Sequence, residues 1–157
     1  MRVFGSIAVL SAVCLASCAS IQQTQQSVEP NYGTITLQAG FHPDPRVVSL
    51  RAGGDLSARD RGDSCRGYIT DPPDIRLNYA AGSLPLIISV AAASDTTLIV
   101  VAPDGRLHCN DDGGVNGLNP SIRFNSPASG GYDIWVGTYR AGVTVPARLH
   151  ISEVSSQ

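Results

Sequence analysis

The sequence predicts an all-β domain, an antiparallel sandwich of the jelly-roll type with about eight to ten strands. Three observations predict it. Short runs rich in Val, Ile, Leu and Thr recur from Thr34 to the end of the chain, and Gly, Pro, Asn or Asp bounds nearly every one. Several of these runs alternate apolar and polar residues, the period-two pattern of a half-buried strand. After the N-terminal region no stretch carries the 3.6-residue periodicity of an amphipathic helix.

The strands can be taken in order. Thr34 to Phe41 and Arg46 to Arg51 come first. Arg66 to Thr70, Asp74 to Tyr79 and Pro85 to Ala91 follow. Thr96 to Val101 is the strongest β-branched run, and Arg106 to Cys109 lies beyond a tight Asp104-Gly105 turn, as in a hairpin. Ser121 to Asn125, Tyr132 to Tyr139 and Val145 to Ile151 complete the set. Because side chains alternate across a strand, the core faces can be named. They are Leu86, Ile88 and Val90; Leu98 and Val100; Tyr132, Ile134 and Val136; and Val145, Ala147, Leu149 and Ile151. Ile99 and Val101 make the second face of their run apolar as well.

With 157 residues the chain has room for one ordinary domain and an export segment. Its net charge is -2, its charged fraction 15%, and all 11 basic residues are arginine. That balance lacks the basic footprint of nucleic-acid binding, so no nucleic-acid partner is expected.

Residues 1–17 read as a secretory signal. Arg2 supplies the positive start, and the apolar run from Val3 to Leu15 is too short to span a bilayer, which takes about 20 residues. Leu15-Ala16-Ser17-Cys18 resembles a bacterial lipobox. That resemblance implies that Cys18 is lipidated and heads the mature protein, holding it on a membrane. Ala19, rather than Asp, then implies the outer membrane, in the enterobacterial sorting pattern. Residues 18–33, rich in Gln, Ser and Thr, read as a flexible tether, and 34–157 as the sandwich domain.

Four cysteines fit this division. Cys14 leaves with the signal and Cys18 takes the lipid. Cys65 and Cys109 remain, in a compartment that oxidises thiols, and are expected to form one disulfide. A metal site is the weaker reading of that pair, since no CxxC spacing is present.

A family resemblance enters at Asp95. The stretch Asp95-Thr96-Thr97-Leu98-Ile99-Val100-Val101-Ala102-Pro103-Asp104-Gly105 resembles the D-x-x-L-x-V-x-x-P-x-G hairpin of the bacterial pre-peptidase C-terminal domain. Asn110-Asp111-Asp112 is similar to the N-D-D that follows it, and Ser121-Ile122-Arg123-Phe124 loosely to its S-x-I-x-F strand. Gly130 to Tyr139 resembles its G-x-Y-x-I-x-V strand. The resemblance implies a non-catalytic, jelly-roll-like accessory module of secreted proteases, sometimes calcium-bound and sometimes adhesive to large polymers. Here a signal and a tether, not a protease, precede the module.

Three groups of residues could carry chemistry. Asp104, Asn110, Asp111, Asp112 and Asn116 offer oxygen donors of the kind calcium takes, although Asp, Asn and Gly are also the ordinary turn residues. Trp135 and Tyr139, with Arg140 beside them, alternate with core residues and face the other side of their strand, where they could form a binding face or could equally be covered by a neighbouring loop. Gly62-Asp63-Ser64-Cys65-Arg66-Gly67 imitates the nucleophile motif of trypsin-like proteases, and Arg61-Gly62-Asp63 spells an adhesion tripeptide. A Ser nucleophile needs a His and an Asp brought to it, and none of His42, His108 and His150 sits in a recognisable context. Both strings read as a loop leading into the disulfide. The expected function is therefore a non-catalytic, envelope-anchored module that binds a polysaccharide or another envelope protein. The alternatives are a small serine hydrolase using Ser64, and a protease-associated accessory or inhibitory module.

Overall fold

A computed structural model of the chain describes residues 28–115 and 117–157. The signal, Cys18 and most of the tether lie outside the described residues. Eleven strands form two sheets: β1 Thr34–Gln38, β2 Arg46–Ala52, β3 Leu56–Ser57, β4 Tyr68–Ile69, β5 Ile75–Ala80, β6 Leu86–Ala92, β7 Thr96–Val101, β8 Leu107–Asn110, β9 Ser121–Phe124, β10 Gly130–Thr138 and β11 Val145–Ser152. The all-β sandwich is the fold class read from the sequence. The strand missed there is β3, which leads into a single turn of 3-10 helix at Ala58–Asp60. Two residues and one turn are too short to show a period.

The larger sheet has seven strands built around β10. One edge of β10 pairs with β7, which pairs with β8. Its other edge is shared: β5 covers Gly130 to Ile134, and β4 meets Thr138. The β1–β5 pairing is parallel, a departure from the antiparallel pattern expected throughout. The smaller sheet runs β2-β11-β6-β9, antiparallel at every step.

The sheets pack through the faces that alternation assigns. Leu86, Ile88, Val90, Leu98, Val100, Tyr132, Ile134, Val136, Leu149 and Ile151 are buried in one cluster. Ile99 belongs to a second, smaller cluster on the outer side of the larger sheet, with Ala58, Cys65, Ile69 and Trp135. That explains why both faces of β7 are apolar.

Both ends of the described domain are tied in. Pro30 is buried, Asn31 and Tyr32 donate backbone hydrogen bonds to Pro73 and Asp74, and Gly33 accepts one from Arg76. The last residues assigned to the tether, Pro30 to Gly33, thus belong to the domain. At the other end the Glu153 carboxylate accepts from the Tyr79 hydroxyl at 2.6 Å and the Gly40 amide at 2.7 Å. Beyond it the chain turns back over the smaller sheet: the Gln157 amide donates to Ser89 Oγ, and Ser156 Oγ to Ser121 Oγ.

Candidate binding face

Strand β10 positions the residues of interest. Tyr132, Ile134 and Val136 point into the sandwich, so Asp133, Trp135, Gly137 and then Tyr139 point away from it. Asp133 is paired with Arg76 at 2.7 and 3.1 Å. Trp135 does not lie on a free face: it is only 4% exposed. The segment from Ala58 to Ile69 folds over it, and the Arg61 guanidinium sits 4.3 Å from its ring centroid. Trp135 Nε1 and Arg61 Nη2 both donate to the Asp71 carbonyl, at 3.3 and 2.6 Å. A large indole needs both its area covered and its N–H paired; the Ala58–Ile69 segment does the first and the Asp71 carbonyl the second. The arginine of the Arg-Gly-Asp tripeptide is thereby committed to the fold.

The disulfide between Cys65 and Cys109 anchors the same loop to β8, with the Cα atoms 5.2 Å apart. Ser64 stands exposed beside it. The histidines lie elsewhere: His108 packs edge-on against Phe124, His150 is buried in β11, and His42 is exposed before β2. No hydrogen bond among the described residues joins a histidine to Ser64.

Tyr139 follows the last residue of β10 and is half exposed. It separates two clefts. One, of about 330 Å³, is walled by Tyr139, Tyr68, Arg59 and Arg66, with Ser57 and Gly67 between them. The other, of about 390 Å³, is lined by Asp95, Tyr139, Arg140, Val143 and their neighbours. The turn that carries Arg140 is fixed by Thr138 Oγ1, which lies 3.0 Å from the carbonyls of both Arg140 and Val143. Gly53, at φ +111°, lets the β2–β3 connection pass against the Val143 carbonyl, where a Cβ would collide. In the second cleft, Asp95 Oδ1 is buried without a hydrogen-bond partner. Burial, then the charges of Asp112 and Asp111, raise its pKa above the usual carboxylate range.

The oxygen donors offered for calcium do not gather at one place. Asp104 sits in the β7–β8 turn, accepting from the Arg106 amide at 3.0 Å, while Asn110 to Asp112 follow the far end of β8. The Asn110 carboxamide oxygen is already engaged by the amides of Gly113 and Ser121, at 2.7 and 2.9 Å. Asn116 lies outside the described residues. Among the described residues no group of three or more His, Cys, Asp or Glu could hold a metal ion. The length of β8 separates Asp104 from Asn110, Asp111 and Asp112.

Of the candidate binding face, Tyr139 and Arg140 are adjacent and exposed, and Trp135 is buried with Ala58, Cys65 and Ile69, as the loop-covered alternative has it. Sequence reasoning missed Tyr68, Arg59, Arg66 and Asp95. A signal existed for two of them: Arg59, Arg61 and Arg66 crowd three of the 11 arginines into eight positions.

No family model matches the chain. An uncharacterized protein of Synechococcus elongatus is 36% identical over 119 residues, which are 73% of this chain and 84% of that protein. Among solved structures, the chain is similar to Aeromonas hydrophila PliG, a periplasmic inhibitor of g-type lysozyme. The TM-score is 0.39 and the identity 21%, over 76% of this chain and 96% of that one. At that level the likeness carries no functional argument.

Proposed function

The chain belongs to the family of the Synechococcus elongatus protein, and we propose that it is a non-catalytic, envelope-anchored binding module whose working surface is Tyr139 with its two clefts. The observation that carries this reading is an aromatic ring left half exposed between two concave, arginine-lined sites on a rigid sheet end. Partner-binding surfaces are built in this way, from aromatic and arginine anchors on a scaffold that does not have to reorganise. The export pattern of residues 1–17 and the lipobox-like Leu15 to Cys18 support an anchored location. The resemblance to pre-peptidase C-terminal modules supports a binding role over a catalytic one. The partner is a polymer or another protein of the same envelope.

The test uses the full chain carrying Cys18→Ser, so that lipid does not confuse the result, mixed with isolated envelope fragments of the source bacterium. Co-sedimentation is expected for this protein and for Arg123→Ala, a change on the opposite sheet. It is expected to weaken at least tenfold for Tyr139→Ala. Equal sedimentation of all three proteins would remove the working surface from this end of the molecule. Release of the lipid-free chain from membranes tests the anchor separately.

A further inference from the structure

We propose that the exposed side of strands β2 and β11 docks on the anionic lipid headgroups of the membrane to which the chain is anchored. The proposal rests on the anchoring part of the reading above, not on the Tyr139 surface. It adds which side of the domain meets the bilayer.

The charge pattern comes first. The four strands of the smaller sheet contain Arg46, Arg51, Arg123, Arg148 and His150, and no Asp or Glu, in a chain whose net charge is -2. His150 is buried. Arg46 and Arg51 in β2 and Arg148 in β11 are exposed, and the described ion pairs engage Arg61, Arg76 and Arg106 instead. The carboxylates that flank these strands do not neutralise them. Asp44 Oδ2 accepts from the Glu153 amide and its Oδ1 is buried, while the Glu153 carboxylate is taken up by Tyr79 and Gly40. Asp55, three residues beyond β2, stands beside Gly142. One side of the domain is thus cationic although the chain as a whole is not, and such a surface attracts anions.

The spacing of the charges identifies the class of partner. Arg46 and Arg51 are five positions apart on one strand, a separation of roughly 17 Å. Arg148 lies on the neighbouring strand, opposite Ser49. The shallow depression beside Arg148 is lined by Ser49, Ala91, Ala93 and Pro146 with their neighbours, a set without the polar array that would orient a sugar ring or a peptide. A small anion reaches one or two of these guanidinium groups; an extended anionic plane meets all three. Each arginine held near an anionic leaflet adds about a fivefold preference for it. Val47, on the side of Ser49 and Arg51 and 41% exposed, offers an apolar contact at headgroup depth.

The path of the chain brings this surface to the bilayer. The Tyr32 hydroxyl accepts a hydrogen bond from the Arg51 amide at 2.8 Å, so the leading segment joins the domain against β2, an edge strand of its sheet. Cys18 precedes Tyr32 by 14 residues, a reach of roughly 50 Å at full stretch. Strand β9, which carries Arg123, is the opposite edge, and the end of the chain crosses in front of it, with Ser156 on Ser121 and Gln157 on Ser89. The open, cationic half of the sheet is therefore the half beside the tether. Docking through it turns the larger sheet and the cover of Trp135 away from the membrane.

The test uses the lipidated chain in vesicles of phosphatidylcholine, alone or mixed with phosphatidylglycerol at about 7:3. A donor fluorophore is placed through Ser49→Cys in β2 or Asn78→Cys in β5, exposed positions on opposite outer faces of the sandwich, and the acceptor is on the headgroups. In the mixed vesicles energy transfer from the Ser49→Cys label is expected to exceed that from the Asn78→Cys label at least twofold. The two are expected to become nearly equal in phosphatidylcholine alone and in about 1 M salt. Arg46→Gln combined with Arg148→Gln, at side chains with no described hydrogen bond, is expected to remove most of the difference. Arg123→Gln, the same loss of charge on the far edge strand, is expected to leave it. Equal transfer from both labels in mixed vesicles that retain the chain would overturn this inference, leave the anchor standing and free the arginines for a soluble anionic partner. A difference that survives the double variant would overturn it as well, since the tether alone would then orient the domain. A chain that leaves both kinds of vesicle would remove the anchor and the inference together.

Discussion

Asp74 shows how much one side chain can do at a break in a sheet. Strands β5 and β4 share one edge of β10 and leave a gap between Ile134 and Thr138. Asp74 fills it, with Oδ2 accepting from the Val136 amide at 2.8 Å and Oδ1 from Asn31 Nδ2 at 3.1 Å. The group is 1% exposed. Burial pushes its pKa up to about 6, against the opposing pull of those two donors. A carboxyl whose folded pKa is raised favours the folded state most when protonated. Its contribution is therefore complete below the ordinary value of 3.8 and is lost as pH climbs through about 6. The displacement corresponds to roughly 3 kcal/mol. His150 opposes it: burial, then Arg148, lower the imidazole pKa, so its contribution is lost on acidification. The clean measurement is the difference in urea unfolding between the parent and Asp74→Asn at pH 4, 5, 6 and 7. The parent should lose stability relative to the variant by up to about 3 kcal/mol across that range. A constant difference would place Asp74 outside the titration. In the sequence Asp74 reads only as the first residue of a strand after Pro72-Pro73. Its role depends on two strands meeting one edge, which no local pattern records.

Strand β10 was legible nearly end to end, because Tyr132, Ile134 and Val136 recur at every second position. What covers Trp135 was not. Its cover comes from Ala58 in a single helical turn, Cys65 in a loop and Ile69 in a two-residue strand. Elements this short have no period, and tertiary contact alone organises them. The disulfide is the exception, readable from cysteine arithmetic, and it holds this cover down. Its two cysteines are 44 residues apart in sequence. Closing such a loop stabilises the fold by roughly 4 kcal/mol in the chain-entropy account. The double variant Cys65→Ala, Cys109→Ala should lose about that much in urea unfolding. An unchanged midpoint would mean that the cover is held by its packing on Trp135 alone.

The described residues form two cores, one between the sheets and one outside the larger sheet. This division has a measurable consequence. Leu149 is fully buried in the first, and truncating such a residue to Ala costs about 2–5 kcal/mol. Trp135→Ala should cost about 3–5 kcal/mol in the second. Leu149→Ala is expected to add to either Trp135→Ala or loss of the disulfide within about 0.5 kcal/mol. The last two share one cluster and should fall short of adding. Full additivity of that pair would argue against a single outer core. The division was half visible in the sequence, where both faces of Thr96 to Val101 are apolar. The parallel pairing of β1 with β5 was not, since alternation sets a strand's face and leaves its neighbour open.

The chain enters the domain beside its clefts. Asn31 Nδ2 donates to Thr70 Oγ1 at 2.9 Å, and Thr70 is two residues from Tyr68 in the cleft wall. Under the proposed anchoring, the domain would be attached at the end that carries Tyr68 and Tyr139. The leading segment would then set the gap into which a ligand must slide. Its length, more than any contact inside the domain, would govern how long a polymer can thread past Tyr139.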